Sequence, residues 1–239
     1  MILPTLVLPS FANQRLKYSG IDSYKESIDN KHFLNYPYEI SYEYNSRGFR
    51  GPEWPYDLAD VCWCVGDSFT AGLGTPYQHT WHQVLENKLN INTINVSLDG
   101  ASNNWIARKI IDILEIKPKN IIVQWSYAHR RELKIPRLSD EDRRIFNDFG
   151  DTYENDIQNN IDCINLIESN KKETTIIHTF VPQNIPKHYE SIFRKAIEKL
   201  NINVVWFDQL DFARDSLHYD IQTSSILAEK LIQSKYINI

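Results

Sequence analysis

Residues 61–74 read VCWCVGDSFTAGLG. The first six run without polar alternation and stop at Gly66-Asp67-Ser68. A short, continuous apolar run ending in glycine is the pattern of a strand buried on both faces. Small residues follow, and then a stretch with apolar residues at helical spacing, 80–90. Strand followed by helix is half of a βαβ unit. Ser68 stands where the strand leaves the core. There it can cap the helix that follows, or it can be a nucleophile held at the sheet edge.

The same alternation repeats along the rest of the chain. TINVSL (93–98) reads as a second strand, and 102–116 as an amphipathic helix with Ser or Asn available as N-cap. NIIVQWS (120–126) is a third strand, followed by a charged, proline-containing loop, YAHRRELKIPRLSDEDRR, whose length suggests a lid or excursion. A helix at 152–170, a strand at 174–180, a helix at 187–200, a strand at 202–207 and a closing helix at 221–235 complete the series. The pattern predicts an α/β doubly wound sandwich with a five-stranded parallel sheet. Residues 1–59 differ: they are irregular and rich in Tyr and Pro, and 38–51 alternates like a strand before the turn signal Asn-Ser-Arg-Gly. They are expected to form an N-terminal arm or β-hairpin extension on a main domain of residues 60–239.

The chain has 239 residues, 42% hydrophobic and 24% charged, with a formal net charge of -5. This balance disfavours a general nucleic-acid binder, which shows a basic face. No stretch has the roughly 18–20 apolar residues of a membrane span. The N-terminus lacks a basic leader segment and carries two prolines, so a cytoplasmic protein, for example in a bacterial or phage intracellular pathway, is expected. Three cysteines give no disulfide framework; Cys62 and Cys64 share a strand face about 6.6 Å apart, at the outer limit for a bridge, and read as small core residues.

In such a sheet, ligands sit beyond the carboxyl ends of the strands. Five points on the chain reach that edge. They carry Asp67 and Ser68; Asp99, Gly100 and Asn103; Ser126, Tyr127, His129 and Arg130; Gln183 and Asn184; and Asp208, Asp211, Asp215 and His218. The set contains a serine, a histidine and a carboxylate. A serine hydroxyl needs a base to take its proton, and the base needs a third group to fix its tautomer. Asp215 and His218 are three apart, which puts both side chains on one side of a turn or helix. Glycines beside the serine and after the second strand leave backbone N–H groups free to approach an oxyanion.

GDSFTAG at the end of the first strand, Gly100 after the second and DSLH before the last helix resemble the SGNH (GDSL-type) hydrolases, esterases and lipases of flavodoxin-like fold. The resemblance runs from about Tyr44 to the C-terminus and includes NSRGFRGPE before the first strand. It implies a three-layer α/β/α sandwich, Ser68 as nucleophile, His218 as base, Asp215 as its partner, and oxyanion donors from the Ser68 and Gly100 amides. It also implies a small-molecule or carbohydrate ester as substrate, with a short acyl group such as acetyl, and no metal or cofactor. The chain departs from the family after the third strand. There the Gly-x-Asn-Asp motif is replaced by QWSYAHRRE, leaving Ser126 and Arg130 as candidates for the missing oxyanion donor. An acyltransferase would use the same triad, and an inactive SGNH-like binding module would keep the same fold.

The remaining features have simpler readings. His129 is a rival base, or part of a solvated loop with Arg130 and Arg131. His79 and His82 have metal-ligand spacing but no adjacent acidic or cysteine partner, and read as a helix start. Arg47 and Arg50 flank a turn and read as surface charges. The Gly-rich stretch lacks the Lys-Ser/Thr of a phosphate loop and the glycine spacing of a dinucleotide site.

Overall fold

The unbroken apolar runs become the strands of one parallel sheet. The computed structural model describes residues 5–17, 39–132, 152–183 and 185–239. Two short strands of the arm, β1 (Arg15–Leu16) and β2 (Tyr42–Glu43), pair antiparallel. The main sheet contains β3 (Cys62–Gly66), β4 (Thr93–Ser97), β5 (Asn120–Trp125), β6 (Thr175–Phe180) and β7 (Asn203–Val204). Their spatial order is β4–β3–β5–β6–β7, all parallel. This is the flavodoxin-like order, with its topological switch between β3 and β5.

The helices are α1 (Ser68–Ala71), α2 (Trp81–Leu89), α3 (Asn103–Leu114), α4 (Tyr153–Glu168), α5 (Lys187–Glu198) and α6 (Ile221–Ser234). Successive strand residues point to opposite faces. Trp63, Val65, Ile121 and Val123 therefore pack with Trp105 and Ile110 of α3, Ile164 of α4 and Phe193 of α5. Cys62, Cys64 and Ile122 pack on the other face with Trp81 and Leu85 of α2 and Leu227 and Leu231 of α6. The result is three layers, as expected. All three cysteines are buried and free, and burial pushes the Cys64 and Cys163 thiols up, Cys163 to about 12.

Two segments differ in extent from their sequence patterns. The last strand is reduced to two ladder residues, with Val205 N still donating to His178 O at 2.8 Å. It lies at the sheet edge, where one neighbour holds it. The alternating stretch in the arm pairs over Tyr42–Glu43, continues as a bridge between Tyr44 and Arg50, and encloses the expected turn. Asn45 Oδ1 accepts from the Arg47 and Phe49 amides inside that turn. Gly48 has φ +82°, and a Cβ there would lie 2.1 Å from Leu8 O. The arm is tied to the main sheet by Leu6, Leu8 and Phe49, which join the core beside α3, and by Lys109 Nζ donating to Thr5 O at 2.7 Å.

Candidate active site

β3 delivers Ser68 through a tight turn. A Cβ at Gly66 would sit 2.1 Å from Thr70 Oγ1, so the turn has no room for a side chain there. Asp67 is extended and caps α1, its Oδ1 accepting from Phe69 N at 3.0 Å. The capping role open to Ser68 thus falls to its neighbour, and Ser68 becomes the first helical residue, 1% exposed. α1 lasts four residues and stops at Gly72, with φ +72°. Its C-terminal carbonyls would lack partners in so short a helix. Arg50 supplies them: Nη1 donates to Ala71 O at 2.8 Å and Gly72 O at 2.5 Å, and Nη2 to Thr75 O at 2.9 Å. Arg50 is therefore not a surface charge. It is buried, because the arm folds across the turn that follows α1. Arg47 is half-buried, its guanidinium 4.6 Å from the Trp54 ring centroid.

The loop between β7 and α6 brings Asp215 and His218 together. His218 Nδ1 lies 2.5 Å from Asp215 Oδ2, and Asp215 Oδ1 accepts from the Leu217 and His218 amides, each at 3.0 Å. Burial pushes the Asp215 carboxyl up, but His218 and the two amides outweigh it and hold the group below its usual range. With Asp215 ionised, the proton of His218 sits on Nδ1 and the lone pair on Nε2. Nε2 is buried and has no hydrogen-bond partner among the described residues, Ser68 included. A buried polar atom without a partner is uncommon and calls for a reason.

This loop packs on the turn carrying Ser68. The Phe69 and His218 ring centroids are 4.6 Å apart, and Thr75 Oγ1 donates to Tyr219 O at 2.9 Å. At Gly74, φ is +72° and a Cβ would fall 2.9 Å from Asp215 Cγ. Segments separated by 144 positions thus form one packed unit at the carboxyl edge. No hydrogen bond within the described residues occupies the amides of Ser68 and Gly100.

The loop after β5 approaches from the other side of the switch point. Ser126 Oγ donates to Asp67 Oδ2 at 2.5 Å, and Arg130 Nη1 reaches the same oxygen at 3.1 Å. The Asp67 side chain is completely buried. Burial pushes its carboxyl above the usual range, and Arg130, Ser126, the Phe69 amide and His218 offset only part of that rise. By its sequence context Asn103 is a residue near the edge or a possible cap. Ser102 takes the cap, its side chain accepting from Trp105 N. Asn103 instead fixes the β5 loop: Oδ1 accepts from Ser126 N at 2.9 Å, and Nδ2 donates to Tyr127 O and to Asn160 Oδ1, both at 3.1 Å. Ser-Asn at a helix start offers no local signal to separate these roles.

His129 is half-buried and lies parallel to the Tyr127 ring at 5.6 Å. Burial, then Arg130 and Arg131, push its pKa down. His82 is buried in α2 beside Thr80 Oγ1, 3.0 Å away, and burial with Arg50 lowers its pKa to about 3. Among the described residues no three His, Cys, Asp or Glu side chains gather as a metal site. Nor is any described helix long and apolar enough to cross a membrane. Gln183 Oε1 accepts from Ala128 N at 2.7 Å. Asn184 and most of the proposed lid lie outside the described residues.

No family model and no curated protein matches the chain. Solved structures do. A protein of the G-D-S-L family from Desulfitobacterium hafniense is 17% identical, covering 73% of this chain and 99% of that one, with a TM-score of 0.51. A family two carbohydrate esterase from Clostridium thermocellum, in complex with cellohexaose, is 15% identical over 76% of this chain, with a TM-score of 0.50. This chain covers 65% of that esterase's length. A family two carbohydrate esterase with a carbohydrate binding domain, from Corynascus thermopiles (Myceliophthora fergusii), is 12% identical over 79% of this chain and 69% of its own, again at 0.50. The chain has the SGNH hydrolase fold.

Proposed function

We propose that this protein is a serine ester hydrolase working through Ser68, His218 and Asp215. The observation that carries the reading is the buried Asp215–His218 pair. Its free Nε2 faces no protein partner among the described residues, and its ring rests on Phe69, the residue after Ser68. Ser68 Oγ attacks the ester carbonyl carbon and His218 Nε2 takes its proton. Asp215 holds the ring and stabilises the imidazolium. The Ser68 and Gly100 amides donate to the developing oxyanion. Collapse breaks the bond to the alcohol, which leaves with the proton from His218. Water then attacks the acyl-enzyme with His218 as base, and Ser68 is released.

The substrate we propose is a short acyl ester, such as acetyl, on a carbohydrate or similar small alcohol. The fold shared with carbohydrate esterases supports this choice by analogy. Its test is turnover of an aryl acetate and an acetylated sugar, with and without added alcohol. Acetate release dependent on Ser68 is the expected result. Acyl transfer to the alcohol in preference to water would make the protein a transferase. A folded protein with no turnover on either ester would overturn the reading.

A further inference from the structure

Three arginines near the loop after β5 each have an acid: Arg108 with Glu132, Arg131 with Asp156, and Arg130 with Asp67. Of these pairs, the last touches the turn that carries Ser68. Its two ends are unequal. The Asp67 side chain is sealed at 0% exposure, while that of Arg130 is 18% exposed. The guanidinium thus combines a buried anchor with a partly exposed remainder.

Ser126 has no donor left to offer a substrate. Its hydroxyl goes to Asp67 and its amide to Asn103. Arg130 has donors in reserve. Nη1 serves Asp67 and Ser126 Oγ, at 3.1 and 3.2 Å. Nε and Nη2 carry three more N–H bonds, and these meet no protein acceptor among the described residues. The backbone of Arg130 is fixed, its N donating to Tyr127 O at 2.9 Å and its O accepting from Asn103 N at 3.0 Å, and the side chain lies with Cζ 5.2 Å from the Tyr127 ring centroid. A guanidinium fixed in this way needs little reorganisation when charge develops beside it. Asp67 also sets a requirement. A carboxylate one residue before the nucleophile opposes an oxyanion unless a cation offsets it.

We propose that Arg130 is a further catalytic residue, with its unused N–H groups donating to the oxyanion formed on attack by Ser68. Asp67 and Ser126 are the positioning residues that aim it. The proposal rests on Ser68 being the nucleophile. It gives a reason for the turn after β3 to commit a buried carboxylate to one arginine of the loop after β5.

The test measures kcat and KM on an aryl acetate for wild type, Arg130→Ala, Arg130→Lys and the double variant Asp67→Asn/Arg130→Ala, with thermal midpoints for each. Arg130→Ala is expected to lower kcat by about 100- to 1000-fold, with KM within about threefold of wild type, as for a contact made in the transition state. Arg130→Lys keeps the charge but not the planar fork, and is expected to lose at least about tenfold. The double variant removes the unpaired carboxylate, so its thermal midpoint is expected to recover while kcat stays low. Recovery of kcat in the double variant would overturn the proposal, because Arg130 would then act only by neutralising Asp67. So would an Arg130→Ala kcat within about threefold of wild type. Failure of the underlying reading looks different: wild type itself would show no Ser68-dependent turnover, and the proposal would fall with it.

Discussion

The loop of residues 211–220 and the flank between β6 and α4 each bury a histidine against a carboxylate, and they do different things with it. His178, on β6, has both ring nitrogens occupied. Trp125 Nε1 donates to its Nδ1 at 3.0 Å, so the ring proton sits on Nε2 and faces Glu168 Oε1 at 3.1 Å. Glu168 is also paired with Lys171 at 2.6 Å. Burial pushes the Glu168 carboxyl up, but His178 and Lys171 bring it below its usual range. His218 has one nitrogen on Asp215 and the other without a hydrogen-bond partner among the described residues. A satisfied histidine fixes a core. One with a buried nitrogen left open has a position to offer another group, the role proposed for His218. Burial and a nearby carboxylate are common to both, so neither alone marks the site.

The sharpest way to break this comparison is to remove each histidine. Ser68→Ala and His218→Ala are expected to lower ester turnover by roughly 10⁴-fold or more. His178→Ala is expected to leave turnover per folded molecule within about threefold. Its effect appears in denaturant unfolding instead, as a loss of about 2–3 kcal/mol from the stranded Trp125 and Glu168 groups and the cavity. Equal losses of activity at the two histidines would erase the distinction. Asp215→Asn preserves shape but changes what Nδ1 can donate to, and is expected to cost about 10³- to 10⁴-fold in kcat. Gly74→Ala probes the same loop through sterics. Its Cβ would press on Ala213 and Asp215 at 2.8 and 2.9 Å with φ at +72°. Activity and thermal midpoint are expected to fall together, unlike in Asp215→Asn.

The smallest effect concerns pH. Burial pushes the His178 pKa below its ordinary value, against the upward pull of Glu168. The unfolded chain then binds the proton that the folded chain refuses, so stability is lost as pH falls below about 6.5. The shift of His82 to about 3 has the same sign. Asp215 and Glu168, both held low, keep their contributions above the ordinary carboxylate range and lose them as pH falls through their folded values. His178→Gln is expected to flatten part of the decline in thermal midpoint between about pH 6.5 and 5. An unchanged slope would mean that His178 titrates alike in both states.

The strands and helices of the main sheet were legible because their signals are local. The pattern of 93–98 predicts the second strand, which lies at Thr93–Ser97; that of 221–235 predicts the closing helix, which lies at Ile221–Ser234. The Asp215–His218 pairing follows from a three-residue spacing within one loop. What escaped the sequence depends on contacts between distant segments. Arg50 looks like a turn-flanking charge until the arm lays it over the carbonyls after α1. Asp67 precedes a short helix, and the preference of aspartate for caps could have identified that role. Its grip on Arg130 spans 63 positions and has no local signature. Asn103 braces the β5 loop with a side chain that could equally have been a cap.

The central claim is that His218 prepares Ser68 for attack. It is tested most directly by reacting the folded protein with a fluorophosphonate and mapping the labelled peptide. The account predicts a label on Ser68 that is lost in His218→Ala and retained in His178→Ala. A folded wild-type protein that takes no label, or whose Ser68 is labelled equally well without His218, would contradict it.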